Sequence, residues 1–445
     1  MKTKMHLAFD LSWTHLEGRW RLPGSWGGRV YPDLSIYREI ASIAERGLID
    51  MLFFGDSPGM PDTWRGSAEE SIRWGIGFPR HDVSPFLAIL AQETKHVGFG
   101  LTYSSTYMHP FYVARLLNSL DHVTNGRMAF NVVASSSRGA AANFGFDELM
   151  EHNSRYDRME EFIDVCKRLW DSVAPDAFVW DRETGLVCDP AKVHEINHSG
   201  AFFKVKGPLA CVPSPQQHPV LLQAGGSPRG IKASAHIADH VFAAGKPQKL
   251  KVKHRQELDA ELTAYGRDPA KVGVLWEVIV VVDETEAEAK RRSSQLLNAI
   301  PFEGVGAFIS GSTGYDFSKL PKRFKLADLN AEIIATNASP VALVHRMALA
   351  DDSGSEMTRE EFFEKAIKIA TGYDKTIAGT AAQVADWMEE EFEATGSRGG
   401  FMIEHPMTTP RDFLNVVDYL VPELQRRGRY RTAYPGKTLR ENLAA

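Results

Sequence analysis

His218-Pro-Val-Leu-Leu-Gln-Ala-Gly-Gly-Ser-Pro-Arg-Gly230 is the stretch on which the reading of the chain turns. Pro219 to Gln223 is a short apolar run, the pattern of a buried strand. Ala224-Gly225-Gly226-Ser227 carries almost no side chain. Pro228 then stands where a helix can begin, and Ile231 to Asp239 continues it. A strand that turns through glycines into a helix N-terminus points several backbone N–H groups at one place, which attracts an anion such as phosphate. A plain strand-to-helix turn, using glycine for its φ freedom, accounts for the same residues equally well.

The same strand-then-helix rhythm runs outward in both directions. Met5 to Leu11, Met51 to Gly55, Val97 to Thr102 and Met128 to Val133 read as four strands before this one. His240 to Ala244, Val272 to Val282 and Gly400 to Glu404 read as three after it. Helices fall between them. One is capped by Asp33 and carries Ile36, Ile40 and Ile43; two open at Ser84-Pro85 and His109-Pro110. Ser154 to Trp170 has a buried stripe of Met159, Phe162, Ile163, Cys166 and Leu169. Leu250 to Tyr265 is charged enough to predict a surface helix, and Asp283 starts another polar one. Thr380-Ala-Ala-Gln383 is a capping box for a helix ending near Glu393. A last helix runs from Thr409-Pro410 to Arg427-Gly428, and Trp64, Arg65, Arg73 and Trp74 fall in an irregular loop.

Eight short apolar strands, each followed by a helix, predict a (β/α)8 barrel. The runs do not alternate, as expected where both faces of a parallel sheet are covered. A doubly wound sheet would want a glycine-rich fingerprint after the first strand, and Asp10 to His15 has no glycine. One domain over residues 1–445 is expected, with long insertions at about 136–217 and 295–378, after strands four and seven.

Composition narrows the function. A net charge of -6 gives no basic footprint for nucleic acid. The three cysteines, Cys166, Cys188 and Cys211, form no C-x-x-C pair. The first residues lack the apolar core of a signal peptide, and no uncharged apolar run reaches the ~18 residues of a membrane span. A cytoplasmic, membrane-free protein is expected. In such a barrel the chemistry lies at the C-terminal strand ends. Trp13, His15, Asp56, Thr102, Asn131, Ser135, Ser136, Gly226, Ser227 and His405 fall there. His15 is alone and strands four to six end without ligands, so no metal site is expected. No G-x-S-x-G elbow occurs. The remaining groups are small and neutral, suited to holding a flat ring and a phosphate, so the chemistry belongs to a cofactor. Arg155 and Tyr156 could complete a phosphate site, while Tyr156 as a core anchor and His152 as a helix-start residue is the plainer alternative.

Several runs carry a family signature. They include Ser119-Leu-Asp-His-Val-Thr-Asn-Gly-Arg127, Asn143-Phe-Gly145, Glu151-His152 with Arg155-Tyr-Asp157, and His194-Glu-Ile-Asn-His-Ser-Gly200. Gly314-Tyr-Asp316 and Val421-Pro-Glu-Leu-Gln-Arg-Arg-Gly428 extend it nearly to the end. In these the chain resembles the bacterial luciferase-like flavin monooxygenases. The branch is that of nitrilotriacetate monooxygenase component A, dibenzothiophene sulfone monooxygenase and long-chain alkane monooxygenase. The resemblance implies FMN at the barrel mouth, with contacts from Asp56, Thr102, His152, Tyr156 and Ser227, and with Asn131, Ser135 and Ser136 beside the ring. It implies reduced FMN from a separate flavin reductase, O2 as co-substrate, and a homodimer or homotetramer. The lack of a G-x-G-x-x-G unit agrees with an external reductase. Trp13, His15 and Asn131 are the candidate catalytic residues. The chain departs from the alkane enzyme at Ala134-Ser-Ser136, where Thr-Ser-His stands in that relative, at Phe308, where a His is expected, and at Trp13, where it has Cys. Trp13, Trp64, Trp74 and Phe308 suggest a small aromatic or heteroaromatic substrate, with His15 and Arg73 as polar contacts. A flavin-dependent lyase or reductase on the same scaffold is the alternative.

Overall fold

A computed structural model describes residues 2–12, 22–25, 33–245, 247–299, 301–335, 356–370, 376–404 and 409–444. Eight strands form the centre: β1 His6–Asp10, β2 Met51–Phe54, β3 Gly98–Ser104, β4 Met128–Val133, β5 Val220–Ala224, β6 His240–Ala243, β7 Gly273–Val282 and β8 Gly399–Glu404. Each pairs in parallel with its neighbours in chain order. β8 closes on β1, with His6 opposite Gly400 and Asp10 opposite Glu404. The expected (β/α)8 barrel is therefore present.

The two-residue period of the strands explains why they are apolar throughout. Ala8, Met51, Phe53, Ala129, Leu222, Leu275 and Met402 fill the barrel interior. Their neighbours Leu7, Phe9, Leu52, Phe99, Phe130, Val241 and Phe401 face the surrounding helices. Gly100 faces inward, and a Cβ there would come within 3.1 Å of the Phe53 ring. The upper half of β7 outruns the barrel and pairs on its free side with a short strand, Thr376–Gly379.

The N-terminal end of the barrel is plugged by a helix absent from the sequence expectation, Leu439–Leu443. Thr438 and Glu441 form its capping box, and Leu439 and Leu443 join the interior cluster. Five residues are too few for a helical period to show. The preceding helix is three consecutive pieces, Pro410–Asn415, Val416–Leu420 and Val421–Arg426, the middle one wound with π geometry. Pro422 follows two residues after it. Its ring would clash with the carbonyl of Asp418 in a regular helix, and the wider turn relieves this.

Three other expectations need correction. Trp64 to Trp74 is not irregular throughout, since Glu69–Trp74 is a helix that stops at Gly75, φ 72°. The polar helix after β7 starts at Glu286 with Thr285 as its cap, not at Asp283. The helix over Leu250 to Tyr265 spans Gln248–Ala264 and has the expected exposed face, with Lys253, Gln256 and Glu257, but its charges are not all solvated, because Lys251, His254 and Arg255 are buried. Lys251 pairs with Glu391 at 2.6 Å, and Arg255 donates to the Val272 carbonyl oxygen at 2.8 Å. Among the described residues, no helix is long and apolar enough to cross a membrane.

Between β7 and β8, the helices Phe302–Thr313, Leu326–Ala335 and Arg359–Ala370 build a second apolar cluster with Phe317, Phe362 and Phe363 at its centre. Between β4 and β5, the long helix His152–Trp170 begins earlier than its apolar stripe, with Glu151 accepting from the Ser154 amide at 2.8 Å.

Candidate functional site

The C-terminal ends of β2, β3 and β4 surround a cavity of about 360 Å3. Asp56, Thr102 and Ser135 line it, together with Arg80, His81 and Asp82 from the segment after β2. Met60, Phe78, Met108 and Phe144 supply its apolar wall. Phe144 stacks on Tyr107 with ring centroids 5.1 Å apart. A small inner cavity of about 20 Å3 adjoins it, bounded by Leu11, Tyr37, Phe54 and Leu101 and sharing Asp56, Arg80 and Thr102.

The strand ends place the polar groups. Thr102 on β3 and Asn131 on β4 sit opposite each other, and the Asn131 amide donates to the Thr102 hydroxyl at 3.0 Å. Asn131 is 3% exposed, and its Oδ1 has no partner. A buried acceptor left unmatched costs free energy until something donates to it. The Ser135 hydroxyl donates to Ser104 at 2.9 Å, and Ser136 follows it, half-buried. Burial raises the Asp56 carboxyl above its ordinary value, Arg80 pulls against this, and Asp82 adds to it.

A second group of the expected residues gathers at the turn after β5. Ser227 caps the helix Pro228–Ile237, its hydroxyl accepting from the Gly230 amide at 3.1 Å. Pro228 has no amide proton, so fewer N–H groups converge here than the glycine run suggested. A Cβ added to Gly225 would lie 2.4 Å from the Gly230 carbonyl oxygen, whereas one on Gly226 would meet nothing within 4 Å. Gly225 thus lets the turn close, and Gly226 borders open space. The Tyr156 hydroxyl reaches this turn, 3.0 Å from where a Gly230 Cβ would stand. His152 lies beside Tyr156, ring centroids 5.2 Å apart.

Arg155 joins the two groups. It is buried and donates to the Ser135 carbonyl oxygen at 2.9 Å, so it is turned inward rather than toward a phosphate. Trp13, His15 and His405 lie outside the described residues. Arg73 is on the exposed helix Glu69–Trp74, paired with Glu69 and Glu70, and is not in the cavity lining. Trp64 is 3% exposed and packs against Phe302 and Phe363 in the second cluster, where Trp74 and Phe308 also lie. Trp64, Trp74 and Phe308 are therefore packing residues, where the segment after β2 meets the one between β7 and β8.

The sequence reading passed over one cluster. Asp10, Glu277 and Glu404, on β1, β7 and β8, each bring a carboxylate oxygen within 4.8 Å of the others. Burial and then Glu404 push the Asp10 carboxyl up to about 7, with Glu277 adding, against hydrogen bonds from Ser12. The signal was available: acidic residues inside three otherwise apolar barrel strands. Only the closed barrel brings strands so distant in sequence to one point.

The donors and acceptors suit a flavin. The unmatched Asn131 Oδ1, the Thr102 hydroxyl and the open space over Gly226 are what a polar-edged ring with a phosphate tail needs. Comparison with known proteins agrees. Residues 17–399 match the family model described as "Luciferase-like monooxygenase".

The chain belongs to the luciferase-like monooxygenases.

Long-chain alkane monooxygenase of Geobacillus thermodenitrificans is 34% identical over 447 residues, 100% of this chain and 94% of that one. The crystal structure of long-chain alkane monooxygenase (LadA) has a TM-score of 0.88 at 34% identity, covering 100% of this chain and 96% of that one. Nitrilotriacetate monooxygenase component A of Aminobacter aminovorans is 36% identical over 98% of this chain and 94% of its own length. Riboflavin lyase (RcaE), solved with modified FMN and riboflavin, has a TM-score of 0.85 at 28% identity, covering 99% of this chain and 96% of that one. This luciferase-like protein is a flavin-dependent monooxygenase.

Proposed function

We propose that the protein takes reduced FMN from a separate flavin reductase and, with O2, oxygenates a small organic molecule in the cavity at β2 to β4. The buried Asn131 Oδ1, left unmatched while the same side chain donates to the cavity-lining Thr102, is the observation that carries the reading. Thr102, Asn131 and Asp56 would hold the ring edge, and Ser135 and Ser136 its flank. His152, Tyr156, Gly226 and Ser227 would hold the phosphate. Reduced FMN supplies the electrons that activate O2. The chain's own part would be to orient the ring and to limit water around it, for which Met60, Phe78, Met108 and Phe144 supply an apolar wall. Phe78 and Phe144 offer the flat apolar surface for an aromatic substrate that Trp64 and Trp74 do not. The relative named component A supports the presence of a second component.

A lyase or reductase reaction without net oxygen insertion is the second reading, favoured by the likeness to riboflavin lyase. Turnover under 18O2 with reduced FMN, followed by mass spectrometry, tests both. Label in the product supports the monooxygenase reaction. Turnover with no label supports the second reading, and turnover without O2 rejects the first.

A further inference from the structure

We infer that the substrate is an organic monoanion, an apolar body ending in a carboxylate or sulfonate, and that Arg80 holds its charged end. The inference rests on the flavin reading of the same cavity. Arg80 lines both the mouth cavity and the inner one, at their junction. A guanidinium carries five N–H donors. Among the described residues, that of Arg80 donates only to the Ser12 carbonyl oxygen, at 3.3 Å. Asp56 and Asp82 line the same space without forming an ion pair with it. Asp82 instead accepts from the Ser84 amide at 2.9 Å and from the Tyr103 hydroxyl at 3.3 Å. A half-buried cation with most donors unspent gains most from a bound oxyanion, which a planar fork meets in two parallel hydrogen bonds.

The arm is fixed from behind. The Ser12 amide donates to Asp10 at 2.7 Å, and the Ser12 hydroxyl accepts from the Gly55 amide at 2.8 Å. That locks the carbonyl which holds Arg80. Asp10 itself crowds against Glu277 and Glu404 on β1, β7 and β8. With its charged end paired to the Arg80 fork, a bound anion has one orientation. The rest of the molecule then meets Met60, Phe78, Met108 and Phe144. Phe78 and Phe144 are 41% and 38% exposed, an apolar surface left open at the cavity wall.

The test uses the FMN-loaded protein and paired probes: straight-chain alkanoates of four to ten carbons, benzoate and 2-naphthoate, each against its uncharged amide. Binding is read by flavin fluorescence and calorimetry in wild type, Arg80→Met and Arg80→Lys. At least one acid should bind roughly ten-fold or more tightly than its amide in wild type, the scale of one charged hydrogen-bonded contact. Arg80→Met should abolish that preference and Arg80→Lys should keep part of it, with FMN affinity unchanged in both. An acid preference absent from wild type, or surviving in Arg80→Met, overturns the inference. So does an FMN affinity that falls about ten-fold in Arg80→Met, since the guanidinium would then serve the flavin. If wild type itself binds no FMN, the flavin reading fails instead.

Discussion

Two residues at the barrel mouth show what single positions do. Ser227 ends β5's turn and caps the next helix. An arginine there loses the cap and puts a long side chain into the space beside Gly226. Ser227→Arg should abolish FMN binding in a fluorescence titration while costing only about 1 kcal/mol of stability. Asp10 has a different problem. Its folded-state pKa of about 7 lies above the ordinary value of 3.8, so between those values the folded protein keeps a proton that the unfolded chain has released. Stability from this group is therefore greatest at low pH and falls as pH rises through 7. Asp10→Asn keeps an acceptor for the Ser12 amide and removes the charge. The variant should gain on the order of 2–4 kcal/mol over wild type at pH 8 and much less at pH 5, measured by denaturant unfolding. An equal gain at both pH values would show that charge is not the cause.

Among the elements, the helix Gln248–Ala264 is the most instructive. Its string of charges looks like a solvated face, yet Lys251 is 3% exposed and packs its ammonium over Trp387 at 4.9 Å. Glu391, on the helix Ala381–Ala394, answers it at 2.6 Å. Removing one partner strands the other in the interior. Glu391→Ala should cost about 3–5 kcal/mol in urea unfolding, whereas Lys251→Met with Glu391→Leu should come within about 1 kcal/mol of wild type. If the single and double variants lose equally, the pair's charges are not what the interface depends on. The capping boxes at Thr380 and Thr438 show the opposite behaviour. Their partners lie three residues away, so they can be read without the fold. The first was, and the second was hidden only because its helix is so short.

Over the whole molecule, the two ends of the barrel divide the work. The C-terminal end holds the cavity, the unmatched Asn131 oxygen and the crowded carboxylates. The N-terminal end holds a closed polar cluster, His6, Asp50 and Arg431, with His240 beside it. Burial would raise Asp50, but Arg431 and then His6 outweigh it and its pKa is lowered. Burial and His6 push His240 down from 6.5 to about 4. Both groups contribute stability that is complete above their unfolded values and lost as pH falls. For His240 the loss runs from pH 6.5 down to about 4 and is on the order of 3 kcal/mol. His240→Asn should therefore flatten the fall in Tm between pH 7 and pH 5, even if it lowers Tm overall. A fall as steep as in wild type would assign the acid sensitivity elsewhere.

What could be read from the chain alone was whatever depends on neighbours in sequence. The eight apolar runs, the turn at Gly225-Gly226-Ser227, the stripe from Met159 to Leu169 and the Thr380 cap are all local periods or short spacings. They were enough for the barrel, and the family runs supplied the expected flavin contacts at Asp56, Thr102 and Ser227. The tertiary structure decided which charged and aromatic residues face what. Arg80 rather than Arg73 reaches the cavity, because Arg73 turns out along an exposed helix toward Glu69 and Glu70. Trp64 is packing rather than pocket, because a segment more than two hundred residues later folds over it. Asp10, Glu277 and Glu404 meet only when β8 closes on β1. Burial and electrostatic neighbourhood are sums over three-dimensional surroundings, and a linear pattern does not contain them.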